Sequence, residues 1–263
     1  MPEHPIASFI EQHNEREVRR DEGAFSHWMG VNCEIHPNDE IFRFFYHHPS
    51  SVNPVRDYLA DGWRTLCELM VLLERVDRPL LKTASLLEFA SGYGRFTRHL
   101  ARFMDAQALY AADVMPGSAE FVRERFGVQG FYSSTDPKSL NLPRAFDTVF
   151  VLSLFTHLPA ATWRSWLERL FAALQPGGAL IFSTHGTGFA VRHGIKLNER
   201  GYHFIRSSES STLGAGEYGT TFTSERFVRD AVAALHGARI EQYSSDYFWS
   251  GQDAWVVSNG AKS

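Results

Sequence analysis

Cysteine is scarce in this chain, with two in 263 residues, Cys33 and Cys67. They stand far apart and outside any metal-ligand spacing, which argues against a disulfide framework and a structural zinc site. The expected state is two reduced thiols in a cytoplasmic protein. Long apolar runs are also missing. None approaches the roughly 18–20 residues of a membrane span. The opening MPEHPIASFIEQHNE has no basic start followed by an apolar core, so neither a signal peptide nor a membrane partner is expected. There is no block of Lys and Arg: the densest basic stretch, residues 17–20, sits among acids, and the formal charge is −4. A protein that grips a polyanion usually shows a basic stripe, so nucleic acid is not an expected partner. Internal repeats and low-complexity tracts are absent.

Aromatic residues, in contrast, are plentiful at 14 %, with 21 Phe. They can fill a large core or line an apolar pocket. Residues 1–55 are polar and aromatic, broken by His36-Pro37-Asn38-Asp39, His48-Pro49-Ser50-Ser51 and Asn53-Pro54. One or two short helices are expected there, for instance over 6–20. In 55–77, Leu59, Trp63, Leu66, Met70 and Leu73 recur at three and four, one apolar helical face. From Ser85 the pattern alternates. Strands are expected at 85–90, 108–114, 130–134, 146–154 and 179–186. Helices are expected at 94–104, at 116–127 with Pro116 in the first turn, and at 159–178, where Gln175-Pro176-Gly177-Gly178 reads as a terminator. Residues 186–222 lack a period and are rich in Gly and Ser, which marks a functional insertion. A helix follows with Thr223 as its N-cap, and 238–249 with 252–259 read as a hairpin turned at Ser250-Gly251. Strand alternating with helix means an α/β fold, a parallel sheet covered on both sides. Its ligand belongs at the carboxyl end of the first strand.

That end carries Glu88-Phe89-Ala90-Ser91-Gly92-Tyr93-Gly94. Glycines allow a tight turn and close approach to a ligand. A dinucleotide-binding turn needs G-x-G-x-x-G, and the third position here is Thr97. Glu88 would repel a pyrophosphate but attract a sulfonium and an ammonium. Asp113, 19 residues after Gly94, ends the second strand where a carboxylate accepts ribose hydroxyls, or alternatively caps the next helix.

The stretch resembles the first motif of class I S-adenosylmethionine-dependent methyltransferases, E/D-x-G-x-G-x-G, with Ala90 in place of the first glycine. Further similar stretches are STDPKSLNLP, FDTVFVLSLFTHLP with WLERLFAALQPGGALIFSTHG, YLADGWRTL, YGTTFTS and QDAWVV, so that the likeness runs over roughly 56–260 and reaches a bacterial small-molecule branch. It implies a Rossmann-like seven-stranded sheet of order 3-2-1-4-5-7-6, strand 7 antiparallel, flanked by helices. It implies an N-terminal helical cap at 1–78 and one compact domain at 79–263 carrying the insertion 186–222. S-adenosylmethionine is the implied cofactor and S-adenosylhomocysteine the product. The implied cofactor-binding residues are Glu88, Ala90, Ser91, Gly92, Gly94, Arg95, Asp113, Val114, Asp136 (facing the adenine) and Ser153. Arg95 would pair with Glu88 or the cofactor's carboxylate, or else be a solvated helix-face residue.

Methyl transfer needs orientation, a dry site and, for a hydroxyl acceptor, a base. His157 is the first candidate base, because an imidazole suits proton transfer at neutral pH. His185 is the second, and Tyr218 would orient the acceptor. His203 could reach in from the insertion. Each has a plainer role available: a helix start, a turn, core packing. Trp63 is expected in the core stripe, with a place over the sulfonium, shared with Tyr58, as the alternative. His47-His48 lacks supporting ligands, so no metal is expected. No Asn- or Asp-Pro-Pro-aromatic run follows the fourth strand, and neither cysteine lies near it. That points away from adenine-N6, glutamine and cytosine-C5 methylation and towards a small-molecule or sugar-like acceptor, hydroxyl before amine, on a monomer or homodimer. The alternatives are a silent cofactor-binding protein and a nicotinamide-dependent oxidoreductase, the latter opposed by Glu88 and Thr97.

Overall fold

The computed structural model describes residues 4–208, 210 and 212–260. The outer ends of the two expected segments, 1–3 and 261–263, and Glu209 and Ser211 of the insertion lie outside the described residues. Nine strands are present among those described: Leu86–Phe89 (β1), Leu109–Asp113 (β2), Gln129–Tyr132 (β3), Phe146–Val151 (β4), Leu174–Thr184 (β5), Tyr202–Ile205 (β6), Thr220–Thr223 (β7), Ala238–Phe248 (β8) and Gln252–Asn259 (β9). Seven form one sheet of order β3-β2-β1-β4-β5-β9-β8, and β6 pairs with β7 apart from it. This is the expected arrangement, renumbered because the insertion contributes two strands of its own. β9 runs antiparallel to β5 and to β8. By Cα proximity the chain separates into two compact units, Met1–Leu69 with Ser91–Tyr132, and Met70–Ala90 with Ser133–Ser263.

The first unit holds β2, β3 and the helices His4–Arg19 (α1), Phe25–Met29 (α2), Glu40–His47 (α3), Thr97–Leu100 (α5) and Ser118–Phe126 (α6), together with most of Pro54–Arg75 (α4). Three helices precede α4, one more than the sequence suggested. Ile6, Ile10, Ile35, Phe42, Tyr58 and Leu59 pack one core. Asp39 caps α3 by accepting Phe42 N–H at 2.9 Å and also accepts Tyr58 O–H at 2.6 Å. Trp63 is not in the core: it is 46 % exposed, its edge against the His99 ring. The buried face of α4 includes Leu59, Leu66 and Leu73 of the expected line, together with Val55, Tyr58, Gly62, Thr65 and Leu69, and Trp63 stands outside it. Gly62 leads it because a Cβ there would strike the Arg95 carbonyl and the His99 ring. The helix expected over 94–104 shortens to the four residues of α5, since Gly94, at φ +77°, cannot begin it. α6 is capped at Gly117, so Pro116 precedes the helix and Asp113 is not its cap.

The second unit holds β1, β4, β5, β8, β9 and the helices Ala160–Phe171 (α7), Thr187–Arg192 (α8) and Glu225–Ala233 (α9). All four residues of β1 are buried, as are five of six in β4, which suits strands covered on both faces. α7 buries Trp163, Trp166, Leu167, Leu170 and Phe171 at helical spacing. Residues 175–178 do not end α7. They lie inside β5 as an irregularity, where the pairing passes from Phe146↔Leu174 to Thr148↔Ala179. α9 is capped by Ser224, which accepts Phe227 N–H at 3.2 Å, while Thr223 belongs to β7. The insertion is therefore not irregular throughout: it supplies α8, β6 and β7.

Candidate active site

In the first unit the glycine turn is tied to the end of β2. Asp113 Oδ2 accepts Gly92 N–H at 2.7 Å, and Oδ1 accepts Met115 N–H at 2.9 Å. Ser91 N–H donates to the Ala112 carbonyl at 3.1 Å. Gly92 sits at φ +56° with open space where a Cβ would stand. Asp113 is buried. Desolvation pushes its carboxyl above the ordinary range, and the N–H donors of Gly92, Met115 and Val114 pull it back. Val114 is half-buried beside it. Arg95 is half-buried and forms its ion pair with Asp61 of α4, so its charge is already matched within the unit.

Arg98 is a site-shaping residue that the sequence did not single out. Its side chain is fully enclosed. Nε–H donates to the Gly94 carbonyl at 3.1 Å, and Nη1 donates to the carbonyls of Glu34 at 3.0 Å and Asn32 at 3.3 Å. The guanidinium also lies over the Tyr58 and Phe126 rings. Beside it Tyr93, whose hydroxyl donates to the Pro116 carbonyl, stacks on His36 at 4.1 Å and 8°. Segment 32–36 is thus bound to the turn by one fork of donors and one ring stack.

In the second unit Glu88 is buried at the penultimate position of β1. Ala90 follows at φ +61°, a left-handed conformation that suits glycine. Asp136 is exposed and spends its carboxylate locally, accepting Lys138 N–H and Ser139 O–H, both at 3.0 Å. Ser153, at φ +65°, donates its N–H to Ser183 Oγ at 2.8 Å and exchanges hydrogen bonds with the Gln252 amide, to which Ser183 also donates at 2.6 Å.

The three catalytic candidates lie together. His157 sits in the turn before α7 and stacks on Tyr218 at 4.3 Å and 12°. The His185 ring is 6.5 Å from that of His157. Its other neighbour is Phe189, stacked at 4.0 Å and 8°. His157 Nδ1 is 2.7 Å from the Gly219 carbonyl and His185 Nδ1 is 3.2 Å from the Thr221 carbonyl. A carbonyl only accepts, so each Nδ1 carries a proton. Burial, with His157 and His193 nearby, pushes His185 down to about 3. Its Nε2 is then a poor proton acceptor at neutral pH. His203 lies against Phe222, 6.2 Å between rings, on β6.

Residues 86–178 match a family model described as a methyltransferase domain. That segment, about a third of the chain, is similar to a methyltransferase domain. It takes in Glu88, the glycine turn, Asp113, Asp136, Ser153 and His157, and it ends before His185 and Tyr218. No match was found among curated proteins. Solved structures share the fold. An amino pentose methyltransferase from Micromonospora echinaspora, solved with S-adenosylmethionine, is 18 % identical, with a TM-score of 0.54 over 81 % of this chain and 100 % of that one. An N-methyltransferase from Bradyrhizobium japonicum, solved with S-adenosylhomocysteine, is 14 % identical, with a TM-score of 0.52 over 85 % and 100 %. A magnesium protoporphyrin IX methyltransferase from Synechocystis, also with S-adenosylhomocysteine, is 15 % identical, with a TM-score of 0.55 over 84 % and 94 %.

Beyond the motifs of the matched segment, two contributors carried little signal in the sequence. Gln252 opens a strand whose middle, residues 254–257, is apolar. Gly219 acts through its backbone carbonyl, which no residue pattern reveals. Among the described residues no group of three or more His, Cys, Asp or Glu could hold a metal ion, and no helix is long and apolar enough to cross a membrane.

Proposed function

We propose that the chain is an S-adenosylmethionine-dependent methyltransferase that methylates a hydroxyl, or failing that an amine, of a small-molecule or sugar-like acceptor. The observation that carries the cofactor assignment is the buried Asp113 carboxylate bonded to the Gly92 N–H. A carboxylate has about four acceptor sites, so two backbone donors leave capacity for a pair of ribose hydroxyls. Gly92 offers a backbone approach with no Cβ in the way, and buried Glu88 supplies negative charge where an ammonium or sulfonium would be welcome. These residues fit the cofactor and would repel a pyrophosphate. Ser91, Gly94 and Val114 shape the same turn and strand end. Arg95, matched by Asp61, supports the turn rather than meeting a cofactor carboxylate. Asp136 can still accept from an exocyclic amine, because its two local bonds leave lone pairs.

When bound, the cofactor supplies an electrophilic methyl carbon for in-line displacement. His157 holds an Nε2 lone pair able to take the acceptor's hydroxyl proton, Tyr218 fixes the ring by stacking, and Ser153 is locked by Gln252 and Ser183. An amine acceptor would require less of His157. Residues 1–78 are assigned as a cap to the domain at 79–263. Supporting the whole are the domain match over 86–178 and the fold shared with methyltransferases.

Calorimetric titration with S-adenosylhomocysteine, with NADH in parallel, tests the cofactor. Micromolar binding of the first and none of the second is expected, and Asp113→Asn should weaken it about tenfold or more. NADH binding instead would overturn the assignment. Once a screen finds an acceptor, His157→Ala should lower kcat by about 100-fold or more, and an unchanged rate would remove His157 as base.

A further inference from the structure

The strand β7 and the residue before it present one edge to both histidines. Gly219 N–H donates to the His157 carbonyl at 2.9 Å, Thr221 N–H to the Thr156 carbonyl at 2.6 Å and Thr223 N–H to the His185 carbonyl at 2.9 Å. The carbonyls of Gly219 and Thr221, on that same edge, take the two imidazole Nδ1–H groups. On its other edge β7 pairs antiparallel with β6, in the register Thr220↔Ile205, Thr221↔Phe204, Phe222↔His203 and Thr223↔Tyr202. On a strand, N–H and C=O of alternate residues point the same way, about 6.7 Å apart for a two-residue step. The rings they hold are 6.5 Å apart. The spacing of the histidines is the spacing of the strand.

We infer that residues 219–221 of the insertion are a positioning element for the base: the Gly219 carbonyl holds His157 as the Nδ1–H tautomer, the form in which Nε2 is the proton-accepting nitrogen. This rests on His157 as the base. Gly219 is a positioning residue, with no contact to substrate of its own. Its side chain can only be hydrogen, because a Cβ would strike the Ile205 carbonyl and the Phe204 ring of β6. Gly219 also shares a second bond with the same residue, its N–H to the His157 carbonyl, so that ring and backbone of His157 are registered by one peptide neighbour. His185, held in the same way by Thr221, packs beside it and keeps a neutral imidazole next to the base.

The test needs neither acceptor nor cofactor. Nitrogen NMR of the full chain with labelled histidine, His157 assigned by its loss in His157→Gln, reads the tautomer directly. At neutral pH the His157 Nδ1 is expected at the protonated end of the scale and Nε2 at the bare end. The reverse pattern, or rapid averaging of the two, would overturn the inference. Gly219→Ala should shift His157 towards averaging while Thr221→Val, which keeps both carbonyls, should not. A folded Gly219→Ala protein with the His157 signals unchanged would likewise overturn it. The base assignment fails by a different result, turnover that survives His157→Ala, and the two failures are therefore distinguishable.

Discussion

Ala90 shows what one missing glycine costs. Its φ of +61° belongs to the left-handed region, where a Cβ is penalised by about 1–2 kcal/mol. Glycine there would remove the penalty and return roughly 0.5–1 kcal/mol through the greater freedom of the unfolded chain. Ala90→Gly is expected to raise the unfolding free energy by about 0.5–1 kcal/mol, read from the urea midpoint at constant m. A lower midpoint would mean that the left-handed turn is not formed as described. The residues best legible in the sequence were those whose chemistry is carried by side-chain type at a fixed distance from a glycine: Glu88, Gly92, Gly94 and Asp113. Arg95 and Trp63 were harder. Arg95 was read as facing outward or towards the cofactor because Asp61, its partner, is 34 positions away in sequence. Trp63 shares its spacing with Leu59, Leu66 and Leu73, which are buried, so spacing alone does not show that Trp63 stands at the margin of that face.

At the scale of elements, the shortened α5 is compensated by Arg98. A four-residue helix has almost no internal hydrogen bonds, and its place is set by a buried fork reaching the carbonyls of Gly94, Asn32 and Glu34. Arg98→Met should cost about 2 kcal/mol or more, since it strands the part-buried carbonyls of Asn32 and Glu34 at roughly 1–3 kcal/mol each, while Gly94 keeps the Arg98 backbone N–H. Arg98→Lys should recover only part of this, because one ammonium cannot reproduce the planar fork. Chemical denaturation of the three proteins checks it, and a neutral Arg98→Met would show that the 32–34 segment holds the turn by other means. The insertion was the least legible element. β6 and β7 are four residues each, too short for a period of two to stand out from a Gly- and Ser-rich background. Their position is fixed by hydrogen bonds to 156–157 and 185, which sequence spacing does not display. Residues 175–178 misled for a related reason: Pro-Gly-Gly marks a break, but whether it ends a helix or kinks the next strand depends on the pairing with β4.

For the whole molecule, the sheet order was legible through the resemblance to class I methyltransferases, and the parallel sheet itself through the alternation of strand and helix. What pH does to the folded chain was not. His99 is buried against the Leu59 carbonyl, and burial with Arg98 and Arg95 nearby pushes it down to about 4; His185 is pushed to about 3. Both titrate near 6.5 when unfolded. The unfolded state therefore binds more protons between those values, and stability must fall as pH falls through that window. A loss on the order of 2–5 kcal/mol between pH 6.5 and pH 4 is expected from these two groups. Urea midpoints measured across that range, with His99→Gln as the comparison, check the sign. A flat profile would mean that neither imidazole is held neutral.

The alternation along 219–223 has one more consequence, best put in terms of parity. Odd positions serve the histidine edge and β6 pairs along the other, so the strand behaves like a reading frame. Residues 212–217, upstream of Tyr218, can be lengthened, tagged or replaced without disturbing that frame. A single residue added or removed between Gly219 and Thr221 puts their carbonyls on opposite edges, so that only one of them can still face its imidazole. Anyone grafting a different loop onto this scaffold is free in its length and composition but not in its phase.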